Sequence, residues 1–207
     1  MAFPFFVVIK LQVLLIRPGS TIFDQEGRIK GALDIPLSEA GKQQADALAN
    51  HLANVKMDCL FVSPCESAKE SAAYIRRSNV SKQKVVESLR NLDHGLWQGK
   101  LVAEVKRLQP KVYRQFQEHP TDVRPPEGET ILEGLQRITS TVDRLIKKYR
   151  DGRIGLLVPQ PMASIVRYAL VGGSLGDLWQ SELDFGTFET LVVEQHQRRE
   201  SQQLVTT

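Results

Sequence analysis

The chain contains few cysteines and few histidines, and both shortages limit the kind of protein it can be. It holds two cysteines and four histidines in 207 residues. Two thiols, Cys59 and Cys65, do not make a disulfide framework. No group of Cys, His and carboxylate side chains has the spacing of a metal site, so neither a metal nor a cofactor is expected. Cys59 lies in an apolar run and is interpreted as a core thiol, whereas Cys65 has no flanking His or Lys to activate it.

The sequence also lacks long apolar runs and clusters of one charge. A membrane-spanning helix needs roughly 20 apolar residues, but the apolar segment 2–9 is followed at once by Lys10 and Gln12. This segment has neither the basic start nor the small-residue cleavage site of a secretory signal, so a cytoplasmic protein is expected. The net charge is +3, without a run of Lys and Arg. Neither nucleic acid nor a membrane is therefore an expected partner.

The composition is typical of one α/β domain. Hydrophobic residues make up 42% of the chain and charged residues 25%, which is ordinary for a globular protein. A chain of this length can bury one sizeable core. We expect a single domain over 1–207, with an N-terminal extension over 1–11 and a polar tail over 195–207. The extension is expected to be either an added edge strand or a loosely ordered lead into the first core strand.

Strand patterns alternate with helical patterns along the chain. Val13–Ile16 is a continuous apolar run of the kind that is buried on both faces of a parallel sheet. Ser38 and Thr130 are predicted to cap two amphipathic helices. Further strands are predicted at 59–62, near 85–86, at 154–158 and at 188–193. This alternation predicts a three-layer α/β/α fold with a doubly wound, mostly parallel sheet.

Six segments resemble, in order and spacing, those of the histidine phosphatase superfamily, whose fold is called phosphoglycerate mutase-like. The first runs from Val13 to Thr21, where a strand enters an Arg-x-Gly loop that the family writes Arg-His-Gly-Glu/Gln-Thr. The others are Gly27 to Ala45, Phe61 to Pro64, Leu89 to Gly99, Glu127 to Thr130 and Leu156 to Leu170. The resemblance extends from about Val13 to about Val193 and implies the phosphoglycerate mutase-like fold.

The resemblance also assigns the catalytic positions of the family, which are two arginines, two histidines and one acid. Arg17 aligns with the first arginine. Pro18 aligns with the histidine that takes the phosphoryl group, and its side chain has no nucleophilic atom. Ser67 stands for the second arginine, Asn91 for the acid and Gln160 for the second histidine. These degenerate positions imply that no catalytic residue is present.

The resemblance therefore implies a catalytically inactive member, a pseudophosphatase that acts as a binding or regulatory module. Its expected partner is a phosphorylated small molecule or a partner protein. Four residues are expected to contribute to weak binding of the phosphoryl group, namely Arg17, Gly19, Thr21 and Arg90. Asp24 stands where the family has a phosphate-binding asparagine, and its negative charge is expected to weaken this pocket.

The alternative is an active phosphatase or phosphoglycerate mutase-like enzyme with altered chemistry. His94, Asp93 or Cys65 would then carry the reaction. His94 is the histidine nearest the predicted site, three positions after Asn91, and its other interpretation is a structural histidine. A conventional phosphatase or mutase is the third hypothesis, which similarity alone would suggest.

Overall fold

A computed structural model describes residues 6–77, 80–149, 151–181 and 185–198 of the chain. Five strands form one sheet: β1 (Phe6–Ile16), β2 (Cys59–Val62), β3 (Gln83–Val85), β4 (Arg153–Leu157) and β5 (Phe188–Arg198). Their order across the sheet is β3-β2-β4-β1-β5. The first four strands in this order run parallel, and β5 pairs antiparallel with β1. The predicted doubly wound, mostly parallel sheet is confirmed.

The helices begin close to the residues that their capping signals predict. They are α1 (Ile22–Gln25), α2 (Glu39–Leu52), α3 (Glu66–Ile75), α4 (Val102–Leu108), α5 (Pro110–Glu118), α6 (Ile131–Lys148), α7 (Met162–Val171) and α8 (Leu178–Ser181). The side chain of Ser38 caps α2, and Thr130 forms a capping box with Glu133 at the start of α6. In the described parts of the chain, no helix has the length and apolar character of a membrane span.

Side chains from both faces of the sheet are buried, which gives the three layers. Val13 and Leu15 of β1 belong to a core cluster with α6 and α7. Leu14 and Ile16, which point to the other face, pack in a second cluster with α2 and α3. Because helices cover both faces, β2 and the central parts of β1 and β4 read as continuous apolar runs in the sequence.

The two long strands extend beyond the apolar runs that predicted them. β1 begins at Phe6 rather than at Val13, so much of the expected extension 1–11 belongs to the sheet. β5 continues to Arg198 and takes in the first part of the expected tail, while 199–207 lie outside the described residues. The added part is a two-stranded ribbon in which Lys10 lies opposite Glu194, with Nζ and Oε1 3.0 Å apart. Such a ribbon is held by backbone pairing and does not require an apolar run.

Candidate functional site

The predicted site residues follow strands that end at one edge of the sheet. In the register of the parallel strands, Leu157 of β4 pairs with both Ile16 of β1 and Val62 of β2. The segments 17–21, 63–67 and 158–161 therefore leave the sheet side by side. Ligands of open α/β sheets bind at this carboxyl edge. We call these segments, together with the groups that contact them, the carboxyl-edge site.

The loop after β1 is held tightly against the start of α2. The carbonyl oxygen of Ser20 accepts hydrogen bonds from both the amide (2.9 Å) and the hydroxyl (3.0 Å) of Ser38. Gly19 and Gly41 lie very close together. A Cβ atom on Gly19 would collide with the backbone of α2, and a Cβ atom on Gly41 would collide with the backbone of the loop. The amide of Gly19 was predicted to bind the phosphoryl group, but here it donates a hydrogen bond to Ser71 Oγ (3.1 Å) within the protein.

Arg17 forms an ion pair across the sheet edge. Its Nη2 lies 2.6 Å from Oε1 of Glu189, and the other carboxylate oxygen of Glu189 accepts a bond from Arg167 Nε at 3.2 Å. The Arg17 side chain is only 11% exposed. The sequence interpretation did not identify Glu189, because it lies 172 positions away along the chain. The antiparallel register of β5, which pairs Leu15 with Glu189, is what brings it there.

The predicted repulsive anion, Asp24, is neutralised by a buried lysine. Lys30 Nζ lies 2.9 and 3.0 Å from the two carboxylate oxygens of Asp24. Both side chains are more than nine-tenths buried. Asp24 also accepts bonds from the amide (2.6 Å) and hydroxyl (2.7 Å) of Thr21. Lys30, which the sequence interpretation did not identify, thus supplies a counter-charge for Asp24, and Thr21 already uses its donors to cap α1.

Asn91 and Gln160 are neighbours, as their alignment requires, and both make structural contacts. Asn91 Nδ2 donates to the carbonyl oxygens of Gly31 (2.8 Å) and Gln160 (2.9 Å). Asn91 Oδ1 accepts from the amide of Met162 at 3.3 Å. Gln160 Oε1 accepts from the amide (3.2 Å) and hydroxyl (3.0 Å) of Ser164 in the first turn of α7. Both amide side chains thus join loops to the helix after β4.

Ser67 and Cys65 lie together where β2 leads into α3. Ser67 is buried in the first turn of the helix, with its hydroxyl 3.6 Å from the sulfur of Cys65. Ser63 Oγ donates to the same sulfur at 3.5 Å. Cys65 itself is half-buried. Among the residues that the structure describes, no three His, Cys, Asp or Glu side chains gather in a way that could hold a metal ion.

Arg90 lies at the rim of the site and shares a carboxylate with a second arginine. Its Nη2 is 3.6 Å from Oε1 of Glu129, and its side chain is 43% exposed. Glu129 is bound more closely by Arg137, through Nε (3.0 Å) and Nη2 (2.7 Å). Arg137 also donates to the carbonyl oxygens of Ser88 and Arg90. The sequence interpretation missed Arg137, which fixes this loop from the middle of α6.

His94 lies in the apolar core. It is fully buried, and its ring meets Phe116 edge to face at 5.9 Å between centroids. Neither ring nitrogen has a hydrogen-bond partner among the described residues. Burial lowers the pKa of His94 to about 4, against the opposing influence of the Asp93 and Glu129 carboxylates. The imidazole is therefore neutral near pH 7 and occupies a structural position, while the Asp93 carboxylate accepts a bond from the amide of Gly95 (2.8 Å).

This burial predicts an acid-sensitive fold. The unfolded chain protonates His94 below a pKa of about 6.5, whereas the folded chain resists protonation down to about 4. Stability therefore falls as the pH drops through this window, by roughly 3 kcal/mol for this group. Urea unfolding of wild type and His94→Phe at a series of pH values measures the effect. Equal losses of stability in the two proteins would rule out His94 as the cause.

Comparison with known proteins supports the fold and the order of its motifs. The family model for branch 1 of the histidine phosphatase superfamily matches residues 13–205. Phosphoserine phosphatase 1 of Hydrogenobacter thermophilus is 25% identical over 189 residues, which cover 89% of this chain and 88% of that protein. A bifunctional protein of Mycobacterium tuberculosis is 30% identical over 179 residues, which cover 85% of this chain but only 48% of the relative.

Solved structures show the same architecture. The α-ribazole phosphatase from Shigella flexneri superposes with a TM-score of 0.73 at 21% identity, over 90% of this chain and 95% of that one. An identity this low indicates a common fold only. The family model, in contrast, spans nearly the whole sheet and the loops of the carboxyl-edge site. The chain therefore belongs to branch 1 of the histidine phosphatase superfamily.

Proposed function

We propose that this chain is a catalytically inactive member of its superfamily, a pseudophosphatase that acts as a binding or regulatory protein. The observation that carries this proposal is Pro18, buried at the carboxyl end of β1, where the family resemblance assigns the phosphoryl-accepting histidine. A pyrrolidine ring whose nitrogen belongs to the peptide bond cannot attack phosphorus. Covalent catalysis needs an activated nucleophile, and none stands at this position.

The size of the catalytic effects supports the proposal. General acid–base catalysis typically contributes ~10²–10⁴ in rate, and one electrostatic donor about 10²–10³. These factors do not simply multiply when the groups act as a unit. Hydrolysis of phosphate monoesters is so slow without catalysis that enzymes supply up to ~10²¹-fold. A single arginine on the family scaffold falls far short of that requirement.

The contacts of the replacing residues also support the proposal. Asn91 and Gln160 use their side chains to join the segment after β4 to neighbouring loops and to α7. Arg17 is engaged by the carboxylate of Glu189. Side chains that serve the fold in this way have less freedom to act on a substrate. The side chains at these positions mainly join loops to helices, and Arg17 is the one catalytic group of the family that the alignment retains.

A phosphorylated small molecule, or a phosphorylated group on a partner protein, is the ligand class that we propose. The relatives' names, which include phosphatases, and the position of Arg17 support this choice. Arg17, Gly19, Thr21 and Arg90 would contact the phosphoryl oxygens. Each of these residues already has a hydrogen-bond or ion-pair partner within the protein, which it would have to give up to contact the ligand. Binding is therefore expected to be weak.

An active enzyme with altered chemistry is the second candidate, and Cys65 is the residue that favours it. Its thiol is half-buried at the carboxyl edge and lies beside two hydroxyl groups. Asp93 is a weaker choice, because its carboxylate is bonded to the amide of Gly95. His94 would first have to leave the core. Phosphatase turnover that disappears in Cys65→Ser or in Asp93→Asn would favour this candidate.

Removing the Glu189 carboxylate tests the binding proposal. Glu189→Gln is expected to bind inorganic phosphate about tenfold more tightly than wild type, because the anion no longer competes with a carboxylate for Arg17. Isothermal titration calorimetry with phosphate measures the change. Glu194→Gln, which alters an exposed carboxylate on the same strand, is the matched control and should bind like wild type. Equal affinities for all three proteins would count against a phosphate site at Arg17.

A further inference from the structure

The sheet has an open edge at β3, on the side opposite β5. Residues 80–85 run parallel to residues 57–62 of the β2 side, through the Met57–Val80 bridge and the pairs from Leu60–Gln83 to Val62–Val85. This stretch spans about 20 Å at roughly 3.3 Å per residue. In the described parts of the chain, no strand pairs with its outer side. We call residues 80–85 the β3 edge.

Backbone donors and acceptors along the β3 edge face outward. The carbonyl oxygen of Lys82 accepts from the amide of Leu60, and the amide of Val86 donates to Val62, so these groups point toward β2. Because N–H and C=O groups alternate in direction along a strand, those of Gln83 and Val85 point away from β2. No described residue is bonded to them on that side. An extended peptide could pair with these groups and add a strand to the sheet.

The β3 edge carries two lysines, and Glu87, two positions after Val85, is the nearest carboxylate along the chain. Lys82, Lys84 and Arg76 are exposed, and none of them takes part in the ion pairs between described residues. A partner that lies along this edge would meet a predominantly positive surface.

A cavity beside the strand offers room for a side chain of such a partner. Its volume is about 390 Å³, and its lining comprises Arg76, Val80, Ser81, Lys82, Gln83 and Val85. No carboxylate is among these lining residues. Val85 is 54% exposed and, with Val80, provides an apolar surface next to the two cations. An apolar residue flanked by acidic ones would match this combination.

We propose that the β3 edge binds an extended, acidic peptide segment of a partner protein, which adds as a strand to the sheet. Outward backbone groups supply the affinity, while Lys82, Lys84 and Arg76 select for Asp and Glu. The β3 edge is the lateral edge of the sheet, whereas the carboxyl-edge site lies at the carboxyl ends of β1, β2 and β4, so the two surfaces are distinct. It would serve an active or an inactive member of the superfamily alike.

The same lysines disfavour a second copy of this chain as the occupant. An antiparallel pair of β3 strands centred on Gln83 would place Lys82 of each copy opposite Lys84 of the other. Like charges directly opposite each other destabilise strand pairing, and edge lysines oppose self-association. An acidic segment in place of the second copy turns this repulsion into attraction.

Panning of a random peptide display library on the full chain tests the proposal. Enriched peptides are expected to carry Asp and Glu alternating with β-branched or aromatic residues. In fluorescence anisotropy, Lys82→Glu/Lys84→Glu should raise the Kd of the enriched peptide at least about tenfold. The matched charge control Lys100→Glu/Lys111→Glu, on exposed lysines elsewhere, should change its affinity less than about twofold. N-methylation of alternate peptide amides should also abolish binding, because it removes the main-chain donors.

Val85→Pro provides a second test that leaves the charges unchanged. It removes an outward N–H group, so it should weaken binding of the peptide. The backbone hydrogen bonds between β3 and β2 should be preserved. Thermal unfolding checks that each variant is folded, and Lys82→Gln/Lys84→Gln is the milder alternative if the glutamate pair is not. A library that yields no acidic peptides, or peptides that bind the lysine variants as well as wild type, would overturn the proposal. So would a dimer in sedimentation that Val85→Pro dissociates.

Discussion

The fourfold variant Pro18→His, Ser67→Arg, Asn91→Glu and Gln160→His is expected to acquire a slow phosphatase activity that Pro18→His alone does not acquire. The single change adds an imidazole without its second cation, its proton donor and its second histidine. Each missing group typically accounts for ~10²–10⁴ in rate. The measurements are phosphate release and trapping of the phosphoenzyme as phosphohistidine, which is recognised because it survives alkali and is lost in acid.

The structure adds a fifth substitution to this design. Glu189 holds the one catalytic arginine that the alignment retains, at 2.6 Å. Glu189→Gln in the fourfold background is therefore expected to raise turnover by at least about tenfold, since one freed electrostatic donor is worth ~10²–10³. Misplacement of the new side chains by about 1 Å can cost roughly 10²-fold, so the activity will stay low.

The stability of the redesigned site needs its own control. Asn91→Glu removes hydrogen bonds to Gly31, Gln160 and Met162, so unfolding curves must accompany the kinetics. If the single Pro18→His variant turned over as fast as the fourfold variant, other catalytic groups would be present in the site. Cys65 would then be the first candidate.

Lys30→Met is expected to destabilise the protein by about 3–5 kcal/mol. The substitution leaves the Asp24 carboxylate buried without its counter-charge, and an unpaired buried charge is far costlier than a lost surface pair. Urea unfolding at neutral pH measures the loss. The double variant Lys30→Met/Asp24→Asn should regain much of it, because the amide oxygen of Asn can still accept from Thr21.

An exposed ion pair provides the comparison for Lys30. Lys69 lies 3.5 Å from Glu66 on α3, with both side chains more than two-fifths exposed. Lys69→Met should cost less than about 1 kcal/mol, since surface pairs contribute little. A Lys30→Met variant no less stable than Lys69→Met would show that Asp24 does not depend on Lys30.

The architecture was predictable because local signals agree with each other. The apolar run of β1, the cap at Ser38 and the capping box at Thr130 each identify an element that the structure contains. The α2 and α6 helices begin one residue after their predicted caps. An added strand in the N-terminal segment was one of two expectations, whereas the full length of β5 was not predictable, because the ribbon is held by backbone pairing between distant segments.

Pairings over long distances in the chain explain what was missed at the site. Arg17 and Glu189 meet only through the register of β1 and β5, which no local pattern encodes. His94 was expected near the site because it follows Asn91 by three positions. The structure instead directs its ring to Phe116, which also contacts the buried Trp97 of the short turn Gly95–Trp97. Proximity along the chain is a poor guide to side-chain direction in irregular segments.

The central claim is that the replacement of the nucleophile by Pro18 leaves this member of the superfamily without phosphatase chemistry. The most direct measurement is steady-state phosphate release from p-nitrophenyl phosphate and 3-phosphoglycerate by the purified wild-type chain, with Arg17→Ala as the matched control. We predict that both proteins release phosphate at the rate of the buffer alone. Turnover by wild type that is lost in Arg17→Ala would contradict the account.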